Sequence, residues 1–208
     1  MTTSSFRSAV LRNGVVIADP LQAVLGFATA YRDVIVNDPS RQASFGEPDL
    51  RLANRDGARI SAAQIAAILE RRRAIERSLL EISVHASLAE AENSVPWLPL
   101  GQLFGAFADI RGVGFSKMTK GLYRKRPALI PILDSIVQKY LEDDDPGAQA
   151  PFGEHALALV RGYKRDLDRN QGPLRIVQEE LARRGYELTE VRILDLLILY
   201  AAAPAPVG

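Results

Sequence analysis

A chain of 208 residues, 47% hydrophobic and 25% charged, has the make-up of an ordinary globular protein, long enough to bury an apolar core without structural staples. Its net charge of +1 gives no global attraction to polyanions, so any nucleic-acid contact has to come from a local basic patch. The absence of cysteine excludes disulfides, thiolate zinc sites, cysteine nucleophiles and cysteine-held iron–sulfur clusters. Two histidines, His85 and His155, are too few for a histidine-rich metal site, and no cofactor is expected. No apolar run reaches transmembrane length, and the first ten residues lack the basic and apolar regions of a signal peptide, so the expected address is cytoplasmic, with no membrane contact.

The expected architecture is all-α: a single two-lobed helical bundle with a short hairpin before it. Asn13-Gly14 suits a tight type I′ turn between Val10-Leu11 and Val15-Val16-Ile17. Asp19-Pro20 reads as an N-cap and first helical position, and Leu21, Val24, Leu25, Ala28 and Tyr31 recur at helical spacing until Asn37-Asp38-Pro39. Residues 38–60 carry no sustained periodicity and read as a long loop. Ser61 and Gln64 form a capping box, opening a helix predicted to run to about Ser83 through Ile65, Ile68, Leu69, Ile75, Leu79 and Ile82. A short helix fits Ser87–Glu92, and Pro96-Trp97-Leu98-Pro99 predicts an irregular step. Helices follow at Leu100–Asp109, at Phe115–Arg124 and from about Pro131 or Asp134 to Leu141. Glu142 to Pro151 is an acidic loop, and three more helices fit Phe152–Arg169, Pro173–Arg184 with Gly185 ending it, and Thr189–Ala202. A flexible tail is expected over 203–208.

One segment carries chemistry. Leu103 to Tyr123 has apolar positions, then Gly112-Val113-Gly114, then a second amphipathic helix, which is the layout of a helix-hairpin-helix motif (103–124). Glycines let such a hairpin turn tightly and leave backbone N–H groups uncovered at a helix N-terminus, where the positive end of the dipole meets an anion such as a phosphate. Lys117, Lys120, Arg124, Lys125 and Arg126 follow within ten residues, uninterrupted by an acid, and would strengthen a backbone contact without reading sequence. The same turn could simply join two packed helices. Downstream, Pro131-Ile132-Leu133-Asp134-Ser135-Ile136-Val137 places an acid at a helix start, where aspartate is also an ordinary N-cap.

Gly112-Val113-Gly114 followed by Pro131-Ile132-Leu133-Asp134 and Val137 resembles the helix-hairpin-helix DNA glycosylases, and among them most the adenine-specific mismatch glycosylases, from Leu103 to about Leu141. The resemblance implies that the hairpin holds a duplex DNA backbone; taken with the basic run, the expected DNA-contact set is Gly112, Val113, Gly114, Ser116, Lys117, Lys120, Arg124 and Lys125. It makes Asp134 the catalytic acid, stabilising positive charge on the sugar as the base departs or positioning a water. Bifunctional members carry a lysine two places after the second hairpin glycine; Ser116 stands there, which implies base removal without strand cleavage. The sequence departs from that branch at Met118, where an alanine is usual, in having no cysteines for a cluster, and in lacking the N-terminal motif with the additional acid. With Arg124-Lys125-Arg126-Pro127-Ala128-Leu129-Ile130-Pro131-Ile132-Leu133-Asp134-Ser135, the whole chain also resembles a bacterial family of this size that supplies no function. The alternative class is a non-catalytic DNA-binding or protein-interaction module that keeps the fold.

Other candidates have plainer readings. Trp97 could stack on an unpaired base but fits a core plug beside the hairpin. Glu142-Asp143-Asp144-Asp145 and Arg71-Arg72-Arg73 read as solvated surface, and Arg192 with Asp195 as an i,i+3 pair.

Overall fold

The computed structural model describes residues 8–28, 43–147 and 149–203 and is all-α apart from one small hairpin. Strands β1 (Ala9–Val10) and β2 (Val16–Ile17) pair antiparallel, with Ala9 opposite Ile17. The expected type I′ turn needs positive φ at both central residues, and of Asn13 and Gly14 only Gly14 has it, at +79°. Gly14 N–H donates to the Leu11 carbonyl and Leu11 N–H to that of Val15, making a three-residue bulged connection instead. The Asn170 side chain pins the hairpin, its Oδ1 accepting from Val10 N–H at 2.7 Å and its Nδ2 donating to the Val10 carbonyl at 2.9 Å.

Helix α1 (Pro20–Ala28) starts as expected, with Asp19 accepting from Gln22 N–H; its predicted course to Asn37 and the loop start at 38–42 lie outside the described residues. The rest of the expected loop is corrected, because it contains α2 (Glu47–Arg55). Pro48 sits in the first turn, Asp49 accepts the Gly46 N–H at 2.8 Å, and a narrow stripe of Leu50 and Ala53 is buried. The helix expected over Ser61–Ser83 is two, α3 (Ala62–Glu70) and α4 (Arg72–Glu81), because Arg71 at φ −91°, ψ 1° leaves helical geometry between them. The Ser61–Gln64 capping box forms.

The helix expected over Ser87–Glu92 is absent: residues 87–91 are turn, followed by a single 3-10 turn at Glu92–Ser94. The expected irregular step at 96–99 instead begins α5 (Trp97–Gly105): Pro99 lies in its first turn, where a missing N–H leaves no helical bond unmade. Helices α6 (Phe115–Leu122), α7 (Ser135–Tyr140), α8 (Phe152–Arg169), α9 (Gln171–Arg183) and α10 (Glu190–Ala202) lie where periodicity puts them. Residues 204–208 of the expected tail lie outside the described residues.

Packing joins α2 to α6 and links α2, α3, α4 and α5 in succession, while α1, α7, α8 and α9 gather around α10; α5 against α8 ties the two groups. That contact is close: a Cβ on Gly153 would stand 2.7 Å from the Gly101 carbonyl, so only glycine allows the approach. One apolar core, from Leu11 through Phe104, Met118 and Tyr163 to Leu197, continues through both groups. Buried cations take up carbonyls at a helix end and in a turn inside it. Arg126 donates to the Leu79 and Ile82 carbonyls at the end of α4, and Lys164 to those of Leu88 and Glu90. No described helix is long and apolar enough to cross a membrane.

Candidate nucleic-acid interface

The hairpin between α5 and α6 is built as its glycines suggest. Gly112 has φ +75°, and Val113, buried at 5% exposure, pins the turn to the core. Gly114 is the N-cap of α6 with an extended backbone that any residue can adopt, and a Cβ there would meet nothing within 4 Å. Neither conformation nor internal packing requires that glycine, and no side chain caps α6. The N–H groups of Phe115, Ser116 and Lys117 have no acceptor among the described residues, the first helical bond being Met118 N–H to the Gly114 carbonyl. Phe115 turns inward against Phe152 and His155, at centroid distances of 4.8 and 4.7 Å.

The run Lys117 to Arg126 does not form the single basic patch expected of it, because a helix and the turn after it send its members in different directions. Lys117 Nζ reaches back to the Gly112 carbonyl at 3.0 Å and to Gln64 Oε1 at 2.8 Å, clasping the hairpin to α3. Gln64 completes the clasp by donating from Nε2 to the Arg111 and Gly112 carbonyls. Arg124 pairs with Asp56 at 2.9 Å and lies over the Tyr123 ring. Lys125 is corrected from a surface phosphate contact to a buried cation, 6% exposed and paired with Asp49 of α2 at 2.7 Å. Arg126 is interior. Lys120 differs: it is half-buried and has no hydrogen bond or ion pair among the described residues.

Lys120 lines a cavity of about 410 Å³ between the two helix groups, within the range of roughly 300–1,000 Å³ typical of small-ligand sites. Asp134 lines it too. Thr119 explains how α6 and Asp134 are held together: its buried hydroxyl donates to the Phe115 carbonyl and accepts Leu133 N–H at 3.0 Å, fixing the strap that ends at Asp134. Asp134 Oδ1 accepts from Ile136 N–H and Val137 N–H, both at 3.0 Å, so the carboxylate is the N-cap of α7. Oδ2 has no partner among the described residues.

The other walls come from residues that sequence reasoning did not bring together. Phe27, Tyr123, Ile132, Val137 and Leu199 are the apolar part, and Arg55, Asp56, Arg192 and Asp195 the charged part. Asp56 receives Tyr123 Oη at 2.8 Å as well as Arg124, while burial raises the Tyr123 phenol well above its ordinary pKa. Asp195, 3% exposed, pairs with Arg192 at 3.3 Å as the i,i+3 spacing predicted, and Ile132 N–H donates to it. Burial pushes its carboxyl up from 3.8 to about 6. The Tyr163 hydroxyl lies 2.6 Å from the Val191 carbonyl and 3.0 Å from Asp195 Oδ1; one phenolic proton cannot serve two acceptors fully, which also favours a protonated Asp195. Only the pairing of Arg192 with Asp195 was readable from spacing; nothing local links positions 55 and 56 to a cavity at 134.

Trp97 lines no part of this cavity; its Nε1 donates to the Glu92 carbonyl and Arg161 lies over its ring at 4.9 Å. In the acidic loop Asp144 pairs with Arg12 and Arg165, and Asp145 with His155 at 2.8 Å. Among the described residues no group of three or more His, Asp or Glu side chains is arranged to hold a metal ion. No curated protein and no solved structure matches the chain. Residues 38–201, which include the hairpin and nearly all of the cavity wall, match a family described only as of unknown function.

Proposed function

The chain belongs to this family of unknown function, DUF6308, and we propose that it grips the backbone of duplex DNA with the Gly112–Gly114 hairpin and takes an extruded base into the adjoining cavity, where Asp134 assists its removal. One observation carries the reading: α6, the helix whose N-terminus lies uncovered, also supplies Lys120, and the Tyr123 that caps its other end, to a cavity that contains Phe27 and Asp134, whose Oδ2 has no partner among the described residues. The backbone N–H groups at 115–117 would receive a phosphate, with the positive end of α6 behind them. Lys117 still has ammonium hydrogen to offer beside its two internal bonds. The resemblance to the helix-hairpin-helix glycosylases supports the same assignment. Ser116 in place of a lysine nucleophile favours hydrolysis of the base–sugar bond without strand cleavage.

The chemistry asked of Asp134 is electrostatic. As the base leaves, positive charge grows on the sugar, and a carboxylate fixed by two backbone N–H groups is in place to meet it. Base release is measured on duplexes with mismatched, deaminated, oxidised and alkylated bases, with abasic sites opened by alkali, while duplex binding is titrated against salt. The expected outcome is base release lost in Asp134→Asn, with binding retained and weakening linearly on a log–log plot as salt rises. Binding without release on any duplex identifies a non-catalytic DNA module in which Asp134 only caps α7. No binding at low salt removes the proposal.

A further inference from the structure

The polar groups of the cavity are unequally occupied. Asp56 is taken up by Arg124 and Tyr123, and Asp195 by Arg192, Ile132 N–H and Tyr163. Asp134 has one oxygen left. On the donor side, Lys120 and Arg55 line the cavity with neither a hydrogen bond nor an ion pair among the described residues. Among the described residues the cavity thus offers two unpaired cations against one unpaired carboxylate oxygen, and is short of acceptors. A ligand that brings N–H groups would meet donor against donor; one that brings carbonyl oxygens would satisfy both cations.

Resting on the base-excision reading above, we propose that the cavity beside Asp134 selects keto bases, of the deaminated uracil and hypoxanthine class, through donation from Lys120 and Arg55 to the base carbonyl oxygens. Adenine and cytosine carry an amino group where hypoxanthine and uracil carry a carbonyl, and the difference inverts the hydrogen-bond demand at that edge. Phe27 and Tyr123 supply the apolar and aromatic wall for the ring.

The same donors suit the bond-breaking step. The base–sugar bond breaks heterolytically, its electron pair passes into the base and is spread onto the carbonyl oxygen, and Lys120 and Arg55 stabilise that charge. The sugar cation is left facing the carboxylate. A water oxygen bonds to the sugar C1′, a water proton passes to Asp134 Oδ2, and from there to the departed base, so that DNA plus water gives an abasic site plus neutral base.

The test uses the free bases and the full chain, so that it does not depend on duplex binding or turnover. Hypoxanthine, uracil, adenine and cytosine are titrated by ligand-observed NMR against wild type, Lys120→Gln and Arg55→Gln. Hypoxanthine and uracil are expected to bind at least about tenfold more tightly than their amino counterparts, and each substitution to reduce that preference severalfold. Neither cation holds a partner among the described residues, so thermal melts of both variants should match wild type. Equal affinity for the two classes, preference for the amino bases, or binding of none overturns the inference. The hairpin grip stands or falls separately, on the salt titration of the duplex.

Discussion

Asp195 sits at the meeting point of the strap that delivers Asp134, the buried Tyr163 and the cavity floor, and its protonation state has a thermodynamic signature. Its folded-state pKa is raised to about 6 from 3.8, so the native chain binds this proton more tightly than the unfolded chain does. The stabilisation is therefore fully present below about pH 4 and is lost as pH rises through about 6. Asp195→Asn keeps a neutral group of the same shape and removes the titration. The unfolding free energy of wild type minus that of the variant should fall by on the order of 3 kcal/mol between pH 4 and pH 7, measured by urea denaturation across that range. A flat difference would mean that the carboxyl is ionised throughout, held by Arg192.

At the scale of elements, α6 separates what the fold needs from what a ligand needs. Gly112 is required by its left-handed backbone; Gly114 is required by neither backbone nor neighbours. Gly114→Asp should keep or raise thermal stability, because an aspartate N-cap satisfies α6 N–H groups and complements the helix dipole. The same carboxylate would occupy the place of a phosphate and lower duplex affinity by about tenfold or more at low salt. An unchanged affinity, read by fluorescence anisotropy, would place the DNA contact elsewhere.

Helix α6 was legible because Gly112, Gly114 and the apolar spacing after them are local signals. Helix α2 was not: Gly46, Pro48, Asn54 and Asp56 read as loop chemistry, and the two residues that bury it, Leu50 and Ala53, are too few to make a periodic stripe. The break at Arg71 carries neither glycine nor proline, so nothing short-range marks it. The basic run failed as a patch for a different reason. The acids that absorb it, Asp49 and Asp56, lie some seventy residues earlier, and a linear reading cannot see them. Asp134 was legible as a cap because that role depends on its own neighbourhood, whereas its candidate catalytic role came from the resemblance alone.

Across the whole molecule the cavity exists because α2, α6 and the 56–60 turn on one side meet α1, α7 and α10 on the other without filling the space between them. Its charged lining is drawn from positions 55 to 195, so it forms only when both helix groups are assembled. The hairpin, by contrast, is secured within one group. Gln64 binds Ser61 N–H, the Arg111 and Gly112 carbonyls and the Lys117 ammonium, leaving none of its amide capacity unused. A single side chain thus serves as the start of α3 and as the brace of the turn that precedes α6. Opening one must open the other, which makes residues 61–66 and 112–118 one unit of hydrogen exchange although nearly fifty residues separate them. Gln64→Ala should accelerate exchange of the protected amides in both segments together, by about tenfold, and leave those of α10 at the rate of global unfolding. The surface proposed to meet DNA would then be pre-shaped before any contact, its order set by a glutamine that need never touch the ligand.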